Sequence, residues 1–180
     1  MARLRKPTAT FLVGAAFFGS TTVLSTSPAF AVCYTPGVAT SFNVNFEGSY
    51  LGSSYWADAV SYAINQWNAT RSQGTGVFIY RNESERYNTI RMESYADNWY
   101  GLYNGNGITF SAKLNIRTIG PAATDDRRWV TSTSSHEFGH ALRMGDNPST
   151  IYNSIMKHSR NRDVVYGPAG YDIGEVKRCN

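Results

Sequence analysis

His136, Glu137 and His140 stand in the run His136-Glu137-Phe138-Gly139-His140, where two imidazoles lie four residues apart. On a helix, residues i and i+4 share a face, so both rings can reach one metal ion. Zinc takes nitrogen ligands in a tetrahedral arrangement and leaves one corner to water where it is catalytic. Glu137, next to the first ring, can accept a proton from that water, which the ion makes more acidic, and deliver it to a leaving amine. The chain has three histidines, and two of them are in this motif. The bland reading is a pair of surface histidines beside a glutamate.

Two imidazoles leave a catalytic zinc one protein ligand short. Asp146 and His158 are the candidates for the third place. Asp146 lies in Gly145-Asp146-Asn147-Pro148, a helix-ending turn where aspartate is also favoured for local reasons. His158 follows Met156 by two residues. It can be an additional ligand, a donor to charge formed in the transition state, or a histidine on the rim of the cleft.

The extended run HEFGHALRMGD resembles the metzincin clan of zinc peptidases and, within it, the matrixin-like bacterial enzymes. That clan's pattern is H-E-x-x-H-x-x-G-x-x-H, with aspartate replacing the last histidine in some members, and Asp146 holds that place. Ser154-Ile155-Met156 resembles the clan's Met-turn. Met156 is then a soft packed floor under the imidazoles and not a ligand. The resemblance reaches across most of residues 41–178. It implies one catalytic Zn2+ on His136, His140 and Asp146, with Glu137 as general base, in an endopeptidase acting on polypeptides. In the astacin-like and serralysin-like branches, the place of His158 carries a tyrosine that touches the metal or the transition state. The resemblance also implies an edge strand that binds extended substrate by strand addition, for which Phe110 to Ile116 is the candidate.

One position departs from the pattern, since Arg143 stands where the family has glycine. A non-glycine residue at positive φ costs about 1 kcal/mol or more. Either Arg143 accepts that backbone, or Gly145 makes the turn later and displaces Asp146. The alternative function is a degenerate zinc-binding secreted protein that acts by binding without turnover. Intact Glu137 argues against it, and Arg143 keeps it open.

These residues must be held by a scaffold. Ser41–Phe46 alternates as a strand, with Phe42, Val44 and Phe46 on one face. Tyr55–Asn68 repeats Trp56, Val60, Ala63, Ile64 and Trp67 at helical spacing, behind Ser53 or Ser54 as cap. Val77–Arg81 and Asn88–Glu93 read as short strands, 101–107 as a Gly/Asn-rich loop, and 108–118 as a strand region. Trp129–Met144 reads as the helix of the histidines, and Ala169–Lys177 as a last helix. The expected fold is α+β and metzincin-like: a twisted mixed sheet with a long helix, a zinc-binding catalytic helix, a Met-turn and a C-terminal helix.

The first 31 residues have a different purpose. Arg3, Arg5 and Lys6 precede an apolar run from Phe11 to Phe18, and Ala29-Phe30-Ala31 supplies an A-x-A cleavage signal. This is the anatomy of a secretory signal peptide. Residues 32–180 are then one exported zinc metallopeptidase catalytic domain, expected to be monomeric and free of the membrane once the signal is removed. The net charge of +4 is misleading. Three of the 17 basic residues and none of the 13 acidic ones lie in the signal, so the rest is close to neutral and has no broad attraction to nucleic acid. Arg127-Arg128 and the run 157–162 read as solvated loops. Cys33 and Cys179, at the two ends of the exported chain, are expected to form a disulfide in an oxidising compartment. The rival is a free thiolate blocking the zinc. For Ca2+, Asp97, Asp125 and Asp126 are candidate ligands, but no spacing fixes a site.

Overall fold

A computed structural model of the protein describes residues 33–180, so the expected signal peptide lies outside the described residues. Five strands and four helices run in the order β1 (Ser41–Glu47), α1 (Ser54–Ala69), β2 (Phe78–Arg81), β3 (Asn88–Glu93), β4 (Gly101–Gly105), β5 (Phe110–Asn115), α2 (Ile116–Ala122), α3 (Asp126–Ala141) and α4 (Gly170–Cys179). The strands form one mixed sheet in the order β2-β1-β3-β5-β4. The first four are mutually parallel, and β4 pairs antiparallel with β5 at the edge, Gly101 opposite Leu114 and Gly105 opposite Phe110.

Each helix buries what its pattern demands. In α1, Ala57, Ala59, Val60, Ala63, Ile64 and Trp67 are buried, and the indole Nε1 of Trp67 donates to the Ser135 carbonyl of α3 at 2.9 Å. By contrast, α3 has no apolar stripe, yet every residue from Val130 to Ala141 is buried. Its hydroxyls make this tolerable, because a buried polar group that finds an acceptor avoids most of the desolvation cost. Thr131 donates to Ala59 O at 3.0 Å, Ser132 to Val165 O at 2.7 Å and Ser135 to Tyr166 O at 3.0 Å. The helix starts at Asp126, three residues before Trp129, because the Asp125 side chain accepts from Arg128 N at 3.0 Å as its N-cap.

Two local expectations fail. Residues 101–107 are not simply a loop, since Gly101–Gly105 is the edge strand β4. The strand region 108–118 is cut at Asn115, whose side chain accepts from Arg117 N and starts α2. Consequently Phe110–Ile116 cannot be the edge that binds an extended peptide: β5 is paired on both sides, by β3 and β4. Nor is 157–162 a solvated loop throughout, as Arg160 is only 8% exposed.

Cys33 and Cys179 are joined by a disulfide with a Cα–Cα distance of 5.4 Å across a separation of 146 residues. Closing so long a loop stabilises by about 5 kcal/mol in the chain-entropy model. The bridge seats the segment after Cys33 against the end of α3: Cys33 pairs with Met144, Tyr34 N donates to Arg143 O at 2.7 Å, and Val38 N to Ala141 O at 2.8 Å.

Candidate metal centre

Helix α3 places His136 and His140 on one face, with ring centroids 4.8 Å apart and planes at 83°. The chain then turns sharply and returns Asp146 to the same point. Asp146 Oδ1 lies 3.1 Å from His136 Nε2 and 3.4 Å from His140 Nε2. One ligand atom from each of these three residues falls within 4.8 Å of the others, the one such cluster of His, Cys, Asp or Glu among the described residues. The turn is made at Arg143, with φ 67°, and Gly145 is not at positive φ. Asp146 therefore keeps the register that the motif spacing gives it.

Both rings are aimed by backbone carbonyls. His136 Nδ1 lies 3.0 Å from Ile155 O, and His140 Nδ1 lies 2.9 Å from Met144 O. A carbonyl only accepts, so each Nδ1 carries a proton; Nε2 donates to Asp146 when the ring is charged and offers a lone pair to the shared point when it is neutral. Burial pushes His136 down to about 4. For His140 burial acts the same way, but the Asp146 hydrogen bond and Glu137 outweigh it and raise the value. Burial raises Asp146, yet its bonds to His136 and His140 dominate and hold the carboxylate far below its usual range. Two nitrogen lone pairs and an ionised carboxylate oxygen form a donor set that suits Zn2+.

His158 adopts a different role. Its backbone N–H donates to Asn147 Oδ1 at 2.8 Å, which turns Asn147 Nδ2 toward His158 Nδ1 at 3.0 Å. Nδ2 donates, so Nδ1 accepts, and the proton sits on Nε2, 2.9 Å from Asp146 Oδ1. The Nε2 atoms of all three histidines thus surround one carboxylate oxygen.

Glu137 is 2% exposed beside this point. Burial raises it to about 7, with the charges of His140, Arg160 and Arg162 acting against the rise. Gly101 makes room for it, because a Cβ there would overlap Glu137 Oε1 and lie 2.7 Å from Thr133 Cγ2. Met156 packs under α3 at Gly139, where a Cβ would overlap its sulfur. The Met-turn is pinned from α4: Asp172 accepts from Ser154 Oγ at 2.6 Å, Ile155 N at 2.9 Å and Ala169 N at 2.8 Å.

Two cavities open at the centre. One of about 250 Å³ lies over the metal-binding point, between Tyr34, Leu102, Tyr103 and Asp146. The other, of about 280 Å³, lies between Trp99, Tyr100, Thr133, Arg160 and Arg162, and His136 and Glu137 border both. Of these residues the sequence reading marked the three histidines, Glu137, Asp146 and Met156. It missed the roles of Gly101, Arg160, Arg162 and Asp172. Of the calcium candidates, Asp125 caps α3 and Asp126 accepts from Tyr55 OH at 2.7 Å. No helix among the described residues is long and apolar enough to cross a membrane.

No protein-family model matches the sequence, and no curated protein matches it. Solved structures do resemble it. A chain of the GM1-bound form of the ECX AB5 holotoxin is 16% identical, with TM-score 0.53 over 82% of this chain and 81% of that one. Archaemetzincin from Methanopyrus kandleri is 13% identical, with TM-score 0.51 over 78% and 96%. High choriolytic enzyme 1, a hatching-enzyme zinc protease from Oryzias latipes, is 15% identical, with TM-score 0.49 over 82% and 96%. At these identities the first two likenesses speak to the fold alone, which this chain shares with archaemetzincin and the holotoxin chain.

Proposed function

We propose that the protein is a secreted zinc-dependent endopeptidase of the matrixin-like kind, exported as residues 32–180. The observation that carries this reading is the convergence of His136 Nε2, His140 Nε2 and Asp146 Oδ1 beside a buried carboxylate, Glu137, at the open edge of a sheet. These three residues would hold the ion, and His158 would orient Asp146 through the bond to Oδ1. The disulfide fits an oxidising compartment.

Bound zinc supplies Lewis-acid chemistry, acidifying water and polarising a carbonyl. The chain's own residues do the rest. Backbone groups of β4, unpaired on the outer side, bind an extended peptide as an added antiparallel strand. Glu137, buried beside the three converging ligand atoms, takes the proton as the water oxygen bonds to the scissile carbonyl carbon, then gives it to the amide nitrogen as the C–N bond breaks. Tyr34 and Tyr103, whose rings lie 5.1 and 5.6 Å from that of His140, wall the site on the other side.

Zinc stoichiometry and casein cleavage on the purified exported chain test this reading. One zinc per chain and chelator-sensitive cleavage are expected. Glu137→Ala should retain the zinc and lose cleavage by at least about 100-fold, the scale of a general base. A zinc-loaded parent without cleavage would instead support the binding-only alternative.

A further inference from the structure

Arg160 and Arg162 carry two guanidinium groups into the wall of the 280 Å³ cavity beside Glu137, and among the described residues neither has a carboxylate within ion-pair distance. Arg160 is held by backbone and hydroxyl oxygens: Nε donates to Ser132 Oγ at 3.0 Å, Nη1 to Lys157 O at 2.8 Å and Nη2 to Ser132 O at 3.1 Å. Nη1 also lies 3.4 Å from His136 Nδ1. Three oxygen acceptors hold the fork in place, and no carboxylate among the described residues forms an ion pair with it. Arg162 is freer. Its guanidinium lies 4.7 Å from the Tyr100 ring and 5.3 Å from the Trp129 ring. Nε is buried with no hydrogen-bond partner, and Nη1 makes one long contact, 3.4 Å, to His158 O. Two like charges in a partly desolvated wall are costly unless something negative joins them. Burial, and for Arg160 the charge of Arg162, oppose the charged state and outweigh the more distant carboxylates, Glu137 for both and Asp172 and Asp146 for Arg160, that favour it.

The strand direction says which part of a peptide meets this wall. An antiparallel peptide on β4 runs from the Gly105 end toward Gly101, then on past Tyr100 and Trp99. Residues before the scissile bond lie by Tyr103 and Tyr34, and the residue after it faces the cavity. We infer that this cavity is a specificity pocket for the acidic side chain of the residue immediately following the scissile bond, bound by Arg162 and favoured by the charge of Arg160. Arginine suits this, because its planar fork can donate two parallel bonds to a carboxylate. The Tyr100 and Trp129 rings, packed edge to face against each other, together hold the fork. The inference rests on the endopeptidase reading and names its substrate class.

Acetylated and amidated peptides differing only at that residue, as Glu, Gln, Leu or Lys, test it. Mass spectrometry locates the cut. The parent should favour Glu over Gln in kcat/KM by roughly 10- to 100-fold, the range that charge-assisted hydrogen bonds give. Arg162→Met should bring that ratio close to one. Binding decides the point without turnover: the zinc-loaded Glu137→Gln protein, followed by fluorescence anisotropy, should hold the Glu peptide about tenfold or more tighter than the Gln peptide. Equal cleavage or equal binding of Glu and Gln peptides by the parent overturns the pocket assignment. Binding that requires a free C-terminus moves the carboxylate from side chain to chain end and also overturns it. If the parent cleaves nothing, the endopeptidase reading fails, and the anisotropy ratio still decides the pocket.

Discussion

Asp172 Oδ2 accepts a hydrogen bond from the Ile155 N–H at 2.9 Å, and the carbonyl of the same Ile155 lies 3.0 Å from His136 Nδ1. A buried carboxylate at the start of α4 thereby anchors Ile155 through its N–H, and the carbonyl of that residue fixes the tautomer and tilt of a candidate ligand. Ser154 Oγ is held by the same carboxylate and itself accepts from Met156 N at 3.1 Å. The Met-turn is therefore rigid because α4 holds it, independently of any ion.

Removing that carboxylate should propagate to the site. Asp172→Ala leaves the Ile155 and Ala169 N–H groups and the Ser154 hydroxyl without their acceptor. A buried unsatisfied group costs about 1–3 kcal/mol. Stability should fall by roughly 2–4 kcal/mol, and zinc affinity by 10- to 100-fold, the usual scale for an outer-shell partner. Urea unfolding and competition with a metal-binding dye measure the two separately. Parent-like zinc affinity in a folded variant would disprove the link between Asp172 and His136.

Asp146 and His158 are separated by the same kind of titration. Asp146→Ala removes a donor and should lower zinc affinity by orders of magnitude. His158→Ala removes only the hydrogen on Oδ1, so about 10- to 100-fold is expected. Should His158→Ala be the weaker binder of the two, His158 is the ligand and the tautomer argument fails.

Gly101 couples the edge strand to Glu137, the proposed general base. Gly101→Ala places a methyl group where Glu137 Oε1 lies, in a wall that also includes Thr133. The backbone of β4 or the carboxylate must shift, and a misplacement near 1 Å costs on the order of 100-fold in rate. Zinc content should stay at the parent level while casein cleavage drops on that scale. Undiminished cleavage would show that β4 and Glu137 are not in close register.

The parts of this site legible from sequence are those governed by local geometry. His136 and His140 share a face because they are four apart, and α1 announces itself by its apolar repeat. Pairing across the sheet is non-local and was misjudged. Gly101 to Gly105 reads as a loop by composition, yet it becomes an edge strand because Gly101 allows close approach to α3 while β5 supplies the hydrogen bonds. Helix α3 is buried with almost no apolar periodicity, since its serine and threonine hydroxyls bond to nearby carbonyls. Arg160 escaped notice for a related reason. A basic run normally marks a solvated surface, and nothing local says that Ser132 and Lys157 will supply the acceptors that bury it.

Arg143 shows how the departure at the family's glycine position is accommodated. Its φ of 67° is strained for a side chain, at about 1 kcal/mol. Set against that, Nη2 donates to Val38 O at 3.0 Å, and the Arg143 carbonyl accepts from Tyr34 N at 2.7 Å. Gly37 lets the N-terminal segment cross here, since a Cβ on it would lie 2.7 Å from Arg143 Cα. The arginine side chain therefore helps hold the segment that the disulfide tethers. Arg143→Gly relieves strain, loses the Val38 contact and gains freedom in the unfolded chain, so the net change should lie within about 1 kcal/mol. Arg143→Val has no such balance. A β-branched residue at positive φ is a genuine outlier, and the anchor is lost as well. It should lose about 2 kcal/mol or more, and zinc affinity with it, because the turn sets the place of Asp146. Urea unfolding of both variants decides the matter: a valine variant as stable as the parent would mean that the turn is not held in the left-handed region.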